Sequence, residues 1–222
     1  MNTPLPLLAV QNVAFSVGGR ALLQPVSFDL HQGDTLLVTG PSGSGKSTLL
    51  KIIASLVSPT AGQILFHNRD ITTLKPETYR QQVSYCFQTP QLFGQTVYDN
   101  LALPWQIRRL QPKRDALVVA LESVNLTADQ LNTPVEQLSG GEKQRVGLLR
   151  NLQFMPEVLL LDEVTSALDE ENRHAVLKVI NQLNVEEKVT LVRISHDPSD
   201  IQHAKQVLRL TTTHREDTHE SA

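Results

Sequence analysis

Eight consecutive residues, Gly40-Pro41-Ser42-Gly43-Ser44-Gly45-Lys46-Ser47, fit the pattern G-x-x-x-x-G-K-[ST]. Glycines so spaced let a loop wrap until its backbone N–H groups point inward at phosphate oxygens, a nest at the start of a helix. The Lys46 ammonium can reach β- and γ-phosphates, the Ser47 hydroxyl can bind Mg²⁺, and Thr48 continues the same phosphate-facing turn. The competing reading is a Gly/Ser-rich turn with no ligand. By chance this pattern arises in roughly one chain of this length in a hundred. The requirement that a strand enter it and a helix leave it cuts that further, so nucleotide binding is the expectation.

A second candidate is Val158-Leu159-Leu160-Leu161-Asp162-Glu163, four apolar residues running into two carboxylates. Alone it reads as a buried strand ending in surface acids. Beside a phosphate loop, Asp162 at the end of a neighbouring strand would face the same crevice and hold Mg²⁺ through water. Adjacent strand residues point to opposite sides, so Glu163 cannot duplicate Asp162; it could turn toward the γ-phosphate and activate water as general base. Ser139, Gly140 and Gly141, ahead of a helical pattern, form another anion-ready helix start. It reads equally as a simple N-cap. One phosphate site does not need two such cradles in a chain, but two chains meeting head to tail would use both.

The elements that must position these residues follow from periodicity. Strands are expected at 7–10, 13–17, 21–23, 26–30 and 35–39, with a hairpin turn at Gly18-Gly19. Leu49, Leu50, Ile53, Leu56 and Val57 share one helix face, which Ser58 to Gly62 stops. A strand over 63–66, a short helix over 77–82 and a strand over 83–87 come next. Residues 89–152 carry helical patterns (97–103, 113–123, 142–152), interruptions at Pro90, Pro104, Pro112 and Pro134, and no convincing strand. Beyond them lie strands at 158–161, 189–194 and 207–210, with a helix over 169–183. This βα order predicts an α/β sheet covered on both faces.

At residues 138–145 the run Leu-Ser-Gly-Gly-Glu-Lys-Gln-Arg resembles the signature of ATP-binding cassette (ABC) ATPases. The resemblance spans about 7–210 and implies a P-loop NTPase fold: a RecA-like core with an N-terminal antiparallel β subdomain (1–88 and 153–210) and an inserted helical subdomain (89–152), then a polar tail at 211–222. It implies further roles. Gln88 matches the glutamine that contacts Mg²⁺ and the attacking water. Ser166-Ala167-Leu168-Asp169 matches the loop that links two active sites. His196 matches the histidine that contacts the γ-phosphate, and Phe15 sits where an aromatic stacks on adenine. Val164 stands where most cassettes have proline. The stretches 49–62, 79–94, 96–108 and 150–170 are similar to the ATPase of a bacterial iron-export ABC transporter.

The resemblance implies ATP and Mg²⁺ as cofactors, a homodimer closed by ATP, and a separate integral-membrane permease. The ATPase would sit on the cytoplasmic face of the plasma membrane and not touch the transported substrate. Two alternatives remain: a transporter for another substrate, and a non-transport cassette. Against repair-type cassettes, the segment between Ser47 and Ser139 holds no sustained heptads. Leu92, Phe93, Val97 and Trp105 are either the handle for the permease or a local core.

Composition sets bounds. With 40% apolar and 19% charged residues, the 222-residue chain is of ordinary globular type. Twenty basic against 23 acidic residues, net −3, gives no general pull toward nucleic acid or anionic lipid. A single cysteine, Cys86, excludes an internal disulfide and a cysteine-based zinc site. The tail histidines His214 and His219 lack companions at metal-ligand spacing. The longest apolar run, 116–121, is far short of the ~20 residues that span a bilayer. Residues 1–10 lack the pattern of a secretory signal.

Overall fold

The computed structural model describes residues 5–212; the expected tail from residue 213 on, with His214 and His219, lies outside them. The chain begins β1 (Leu8–Val17), β2 (Arg20–Leu30), β3 (Thr35–Thr39), α1 (Lys46–Ile53), β4 (Ala61–Phe66), β5 (Arg69–Asp70), α2 (Pro76–Gln82) and β6 (Val83–Cys86). Three helices follow, α3 (Val97–Ile107), α4 (Arg114–Glu122) and α5 (Gly140–Asn151), before β7 (Val158–Asp162). Then come α6 (Glu170–Val185), β8 (Thr190–Ile194), α7 (Pro198–His203) and β9 (Gln206–Arg209).

Two sheets result. One is antiparallel, in the order β2-β1-β4-β5; the other is parallel, in the order β6-β7-β8-β3-β9. The parallel sheet is buried on both faces, which explains the unbroken apolar run of β7. Along β7 side chains alternate. Val158 and Leu160 join a core with α1 and the antiparallel sheet, including Leu8, Leu30, Leu49 and Ile53. Leu159 and Leu161 join a second core with Leu101, Leu121, Val146 and Ile180 from the helical segment and α6. All four β7 residues are at most 1% exposed, so each contributes roughly 1.5–3 kcal/mol of burial.

Several local expectations change. The four short strands expected before residue 30 are two long ones: register shifts beside Asn12 (φ 49°) absorb the irregularity, and Ser27 Oγ accepts the Asn12 N–H at 2.8 Å. The first helix stops at Ile53, short of Val57, because Ser55 turns into the left-handed region (φ 55°), leaving Leu56 exposed. Pro104 does not interrupt α3 but lies inside it. A proline there costs about 3 kcal/mol of helix preference; burial of Val97, Leu101 and Ala102 on that helix outweighs it. Val97 is thus core and not a docking residue.

Candidate active site

The phosphate loop links β3 to α1, as expected. α1 starts at Lys46 behind Gly45, which is left-handed (φ 91°) and offers no side-chain cap; its first turn holds no acid. The leading N–H groups of a helix have no intrahelical partner, so this end suits an anion. Two of the glycines are obligatory. A Cβ on Gly40 (φ 146°) would lie 2.4 Å from the Leu210 carbonyl oxygen, and one on Gly45 would lie 2.4 Å from that of Leu22.

A cleft of about 490 Å³ opens over this loop, lined by Leu22, Ser42, Gly43, Gly45, Lys46, Ser47, Thr48, Gln88, Glu163 and His196. Not every residue of the motif faces it. Gly40, Pro41 and Ser44 do not line it, so their part is to shape the loop: the Ser44 N–H donates to Pro41 O at 3.3 Å, and its hydroxyl is buried with no hydrogen-bond partner. Lys46 folds back over the loop, donating from Nζ to Gly40 O (2.9 Å) and Pro41 O (3.0 Å). Burial holds its ammonium below the ordinary lysine value, opposed by the nearby carboxylates Glu163 and Asp162. An incoming phosphate would replace two carbonyl contacts with charge-assisted ones.

β7 delivers Asp162, 3% exposed, across the crevice. Its Oδ1 accepts from Ser47 Oγ at 3.0 Å and its Oδ2 from the Tyr85 hydroxyl at 2.5 Å. A hydroxyl and a carboxylate this close are hard oxygen donors of the kind Mg²⁺ prefers. Glu163 then turns sharply, with φ 49°, a left-handed conformation uncommon for a non-glycine. That turn swings its carboxylate into the cleft, while buried Val164 (5% exposed) anchors the chain behind it. Gln88 Nε2 donates to Glu163 Oε2 at 3.0 Å, and His196 Nε2 lies 3.1 Å from Oε1. Glutamine, glutamate and histidine from three strand ends therefore meet at one carboxylate. The His196 loop is braced by Ser195, whose hydroxyl donates to Asp200 at 2.6 Å, while Arg193 and Arg173 pair with Asp200 and Asp197.

Ser139, Gly140 and Gly141 do not line this cleft. Ser139 caps α5, its Oγ accepting the Glu142 N–H (3.3 Å) while the Glu142 carboxylate accepts the Ser139 N–H (2.8 Å). That second bond, first among several, holds the Glu142 carboxyl below its ordinary value. Ser139 and Gly140 are exposed, and a Cβ on Gly140 would meet nothing within 4 Å. Asp169, exposed, caps α6 by accepting from Asn172 N (2.9 Å) and Nδ2 (2.8 Å). It too stands away from the cleft. Phe15 packs half-buried against the larger core and is not among the residues that line this cleft, where the β2 residue Leu22 stands.

Among the buried polar residues that sequence reasoning missed, Tyr85 and Arg145 bear on the site. Tyr85 was legible only as an aromatic on a strand. Arg145 donates to Val124 O (2.7 Å), Asn125 O (3.0 Å) and Asn172 Oδ1 (2.7 Å), tying α5 to the start of α6. A charged residue mid-way along an apolar helix face was the available signal.

The profile of the family described as ABC transporter matches residues 23–166. The chain is 54% identical over 205 residues to the probable iron export ATP-binding protein FetA of Escherichia coli (strain K12), covering 92% of this chain and 91% of that one. It is 41% identical over 187 residues to the cell division ATP-binding protein FtsE of the same strain, at 82% and 83% coverage. Among solved structures, the dimeric ATP-binding cassette MJ0796 in a post-hydrolysis state bound to ADP and Pi superimposes with TM-score 0.83 at 27% identity, covering 93% of this chain and 97% of that one. Among the described residues no helix is long and apolar enough to cross a membrane, and no group of three or more His, Cys, Asp or Glu could hold a metal. A phosphate-binding helix start, a carboxylate aimed at its mouth and this degree of kinship place the chain in the ABC transporter family, as one of its ATP-hydrolysing cassettes.

Proposed function

We propose that this cassette powers iron export through a separate integral-membrane permease, working as an ATP-closed homodimer on the cytoplasmic face of the plasma membrane. The observation that carries the substrate is the 54% identity, spread over 92% of the chain, to a relative described as a probable iron export ATP-binding protein. Relatives described for mycobactin import (39% identical, with 36% of that longer protein covered) and for methionine import (38%) are more distant. They keep a cassette for another substrate as the second reading.

In this mechanism Lys46 exchanges its two loop carbonyls for the β- and γ-phosphates. Ser47, Gln88 and Asp162 would hold Mg²⁺, which would neutralise charge on those phosphates. Glu163 takes the proton of the attacking water. Gln88 and His196, which grip Glu163 in this structure, turn to hold that water and the γ-phosphate oxygen. Ser139, Gly140 and Gly141 of a second chain close over the triphosphate, with Asp169 at the seam between the two chains. The support for two chains is the exposure of that helix start and its distance from its own cleft, together with the dimeric form of the matched cassette. Binding energy becomes motion because only the closed pair makes both sets of contacts.

The permease contact we assign to the groove of about 310 Å³ between α2 and α3, lined by Arg80, Leu103, Pro104, Ile107, Arg108 and Phe154 among others. Ile107 is 65% exposed there and Phe93 51% exposed nearby. Trp105 stands behind it, its ring 4.8 Å from that of Phe154 and its Nε1 donating to Gln153. The function is tested by reconstituting the cassette in inverted vesicles with an integral-membrane permease that co-purifies with it. ATP-dependent iron uptake supports the reading; uptake of another solute without iron overturns the substrate.

A further inference from the structure

Tyr85 carries a hydroxyl where the fold needs only a ring. On β6 it lies on the same sheet face as Val83 and, across the β6–β7 register, as Val158 and Leu160, all members of the larger apolar core. Its ring meets Phe87 edge-on at 4.5 Å. Phenylalanine would fill the same space, yet the phenol is aimed at Asp162 Oδ2 at 2.5 Å, a short bond of the charge-assisted kind.

We propose that Tyr85 is the positioning residue of the metal-nucleotide site, pinning one oxygen of Asp162 so that the other faces Ser47 and the cation. This rests on the reading of Asp162 as the metal-side carboxylate. The two donors divide the work. Ser47 can give its proton to Oδ1 while offering a lone pair to Mg²⁺, whereas Tyr85, at 8% exposure within the core, fixes the rotation of the carboxylate and ligates nothing. A carboxylate freed at Oδ2 could rotate and lose the geometry that octahedral Mg²⁺ demands. The far end of the signature helix bears on the same point, since Asn151 Nδ2 on α5 donates to the Tyr85 carbonyl at 3.1 Å.

The test is equilibrium binding of a fluorescent ATP analogue to the full chain, titrated with Mg²⁺ and repeated in EDTA, for wild type, Tyr85→Phe, Asp162→Asn and the double variant. Tyr85→Phe should raise half-saturating Mg²⁺ about tenfold, with metal-free ATP affinity unchanged. The thermal midpoint in EDTA should stay within about 4 °C of wild type, which excludes misfolding as the cause. Against Asp162→Asn the Tyr85 change should add nothing further. An unchanged Mg²⁺ requirement in Tyr85→Phe, with Asp162→Asn shifted, overturns the positioning role alone. If neither variant shifts it, the assignment of Asp162 falls with it. Additive effects in the double variant also overturn the proposal, because a merely structural tyrosine would add.

Discussion

The two candidate anion sites begin helices in opposite ways. α1 opens with a left-handed glycine, no side-chain cap, no acid and a lysine in its first turn. α5 opens with a serine cap, a reciprocal capping box and Glu142 in its first turn. The first is left unsatisfied and waits for phosphate. The second satisfies its third N–H internally, leaving only those of Gly140 and Gly141 for a ligand. It also carries a negative charge that opposes one. A start that is stable when empty suits a surface that meets its nucleotide only when a second chain brings it, whereas the α1 start suits a resident ligand.

The largest expected effect lies on the cleft side. Glu163→Gln should cut phosphate release by roughly 10²–10⁴-fold while ATP still binds, with the protein collecting as a dimer on size-exclusion chromatography with light scattering. Normal turnover would remove Glu163 as base. Lys46→Ala should lower ATP affinity by about 10- to 100-fold, the worth of a charge-assisted contact, read by calorimetry. Ser139→Asp should instead leave monomer ATP affinity within about twofold, because that serine lies outside its own cleft, yet abolish dimerisation and hydrolysis. Mixing inactive Lys46→Ala chains with inactive Ser139→Asp chains sharpens the contrast. A head-to-tail pair then holds one intact composite site, so activity returns; persistent inactivity of the mixture would break the two-chain geometry.

A smaller effect is expected from Glu142→Gln, which keeps the capping box but removes the opposing charge. ATP-driven association should tighten by roughly two- to fivefold, and weaker association would reverse the argument about α5. The smallest effect sits where α5 ends. Burial pushes the Cys86 thiol up to about 12, and Asn151 Nδ2 lies 3.2 Å from its sulfur. Above the ordinary thiol value of ~8.5 the unfolded chain releases a proton that the folded chain keeps, so stability falls as pH rises. Urea midpoints should drop between pH 8 and 10 in wild type and less in Cys86→Ala. Equal slopes would mean the thiol is not the group responsible.

Much was legible in the chain because it is local. Alternation over 26–30, the helical spacing from Leu49 to Ile53 and the apolar run of β7 each encode one element and its buried face. The strand over 35–39 falls as expected. The phosphate-loop pattern is also local, since glycine freedom and a helix start need only neighbours in sequence. Boundaries failed where burial elsewhere outweighed propensity, as at Pro104, or where one left-handed residue ended a helix, as at Ser55. Val97 shared the apolar character of a docking residue, and only packing assigned it to a core.

The order of Gly40 to Ser47, the carboxylates after β7 and the serine-glycine start of α5 determined the class of chemistry, because each motif carries its mechanism in residue type and spacing. Tertiary structure decided what those groups do to one another. Ser47 meets Asp162 across 115 residues, Gln88 meets Glu163 across 75, and Tyr85 meets Asp162 across 77. Such encounters depend on which strands lie side by side in the parallel sheet and on a single left-handed turn at Glu163. Neither is written in any local period, since hydrogen-bonded strand neighbours are chosen by the burial of whole faces and not by the residues at their tips.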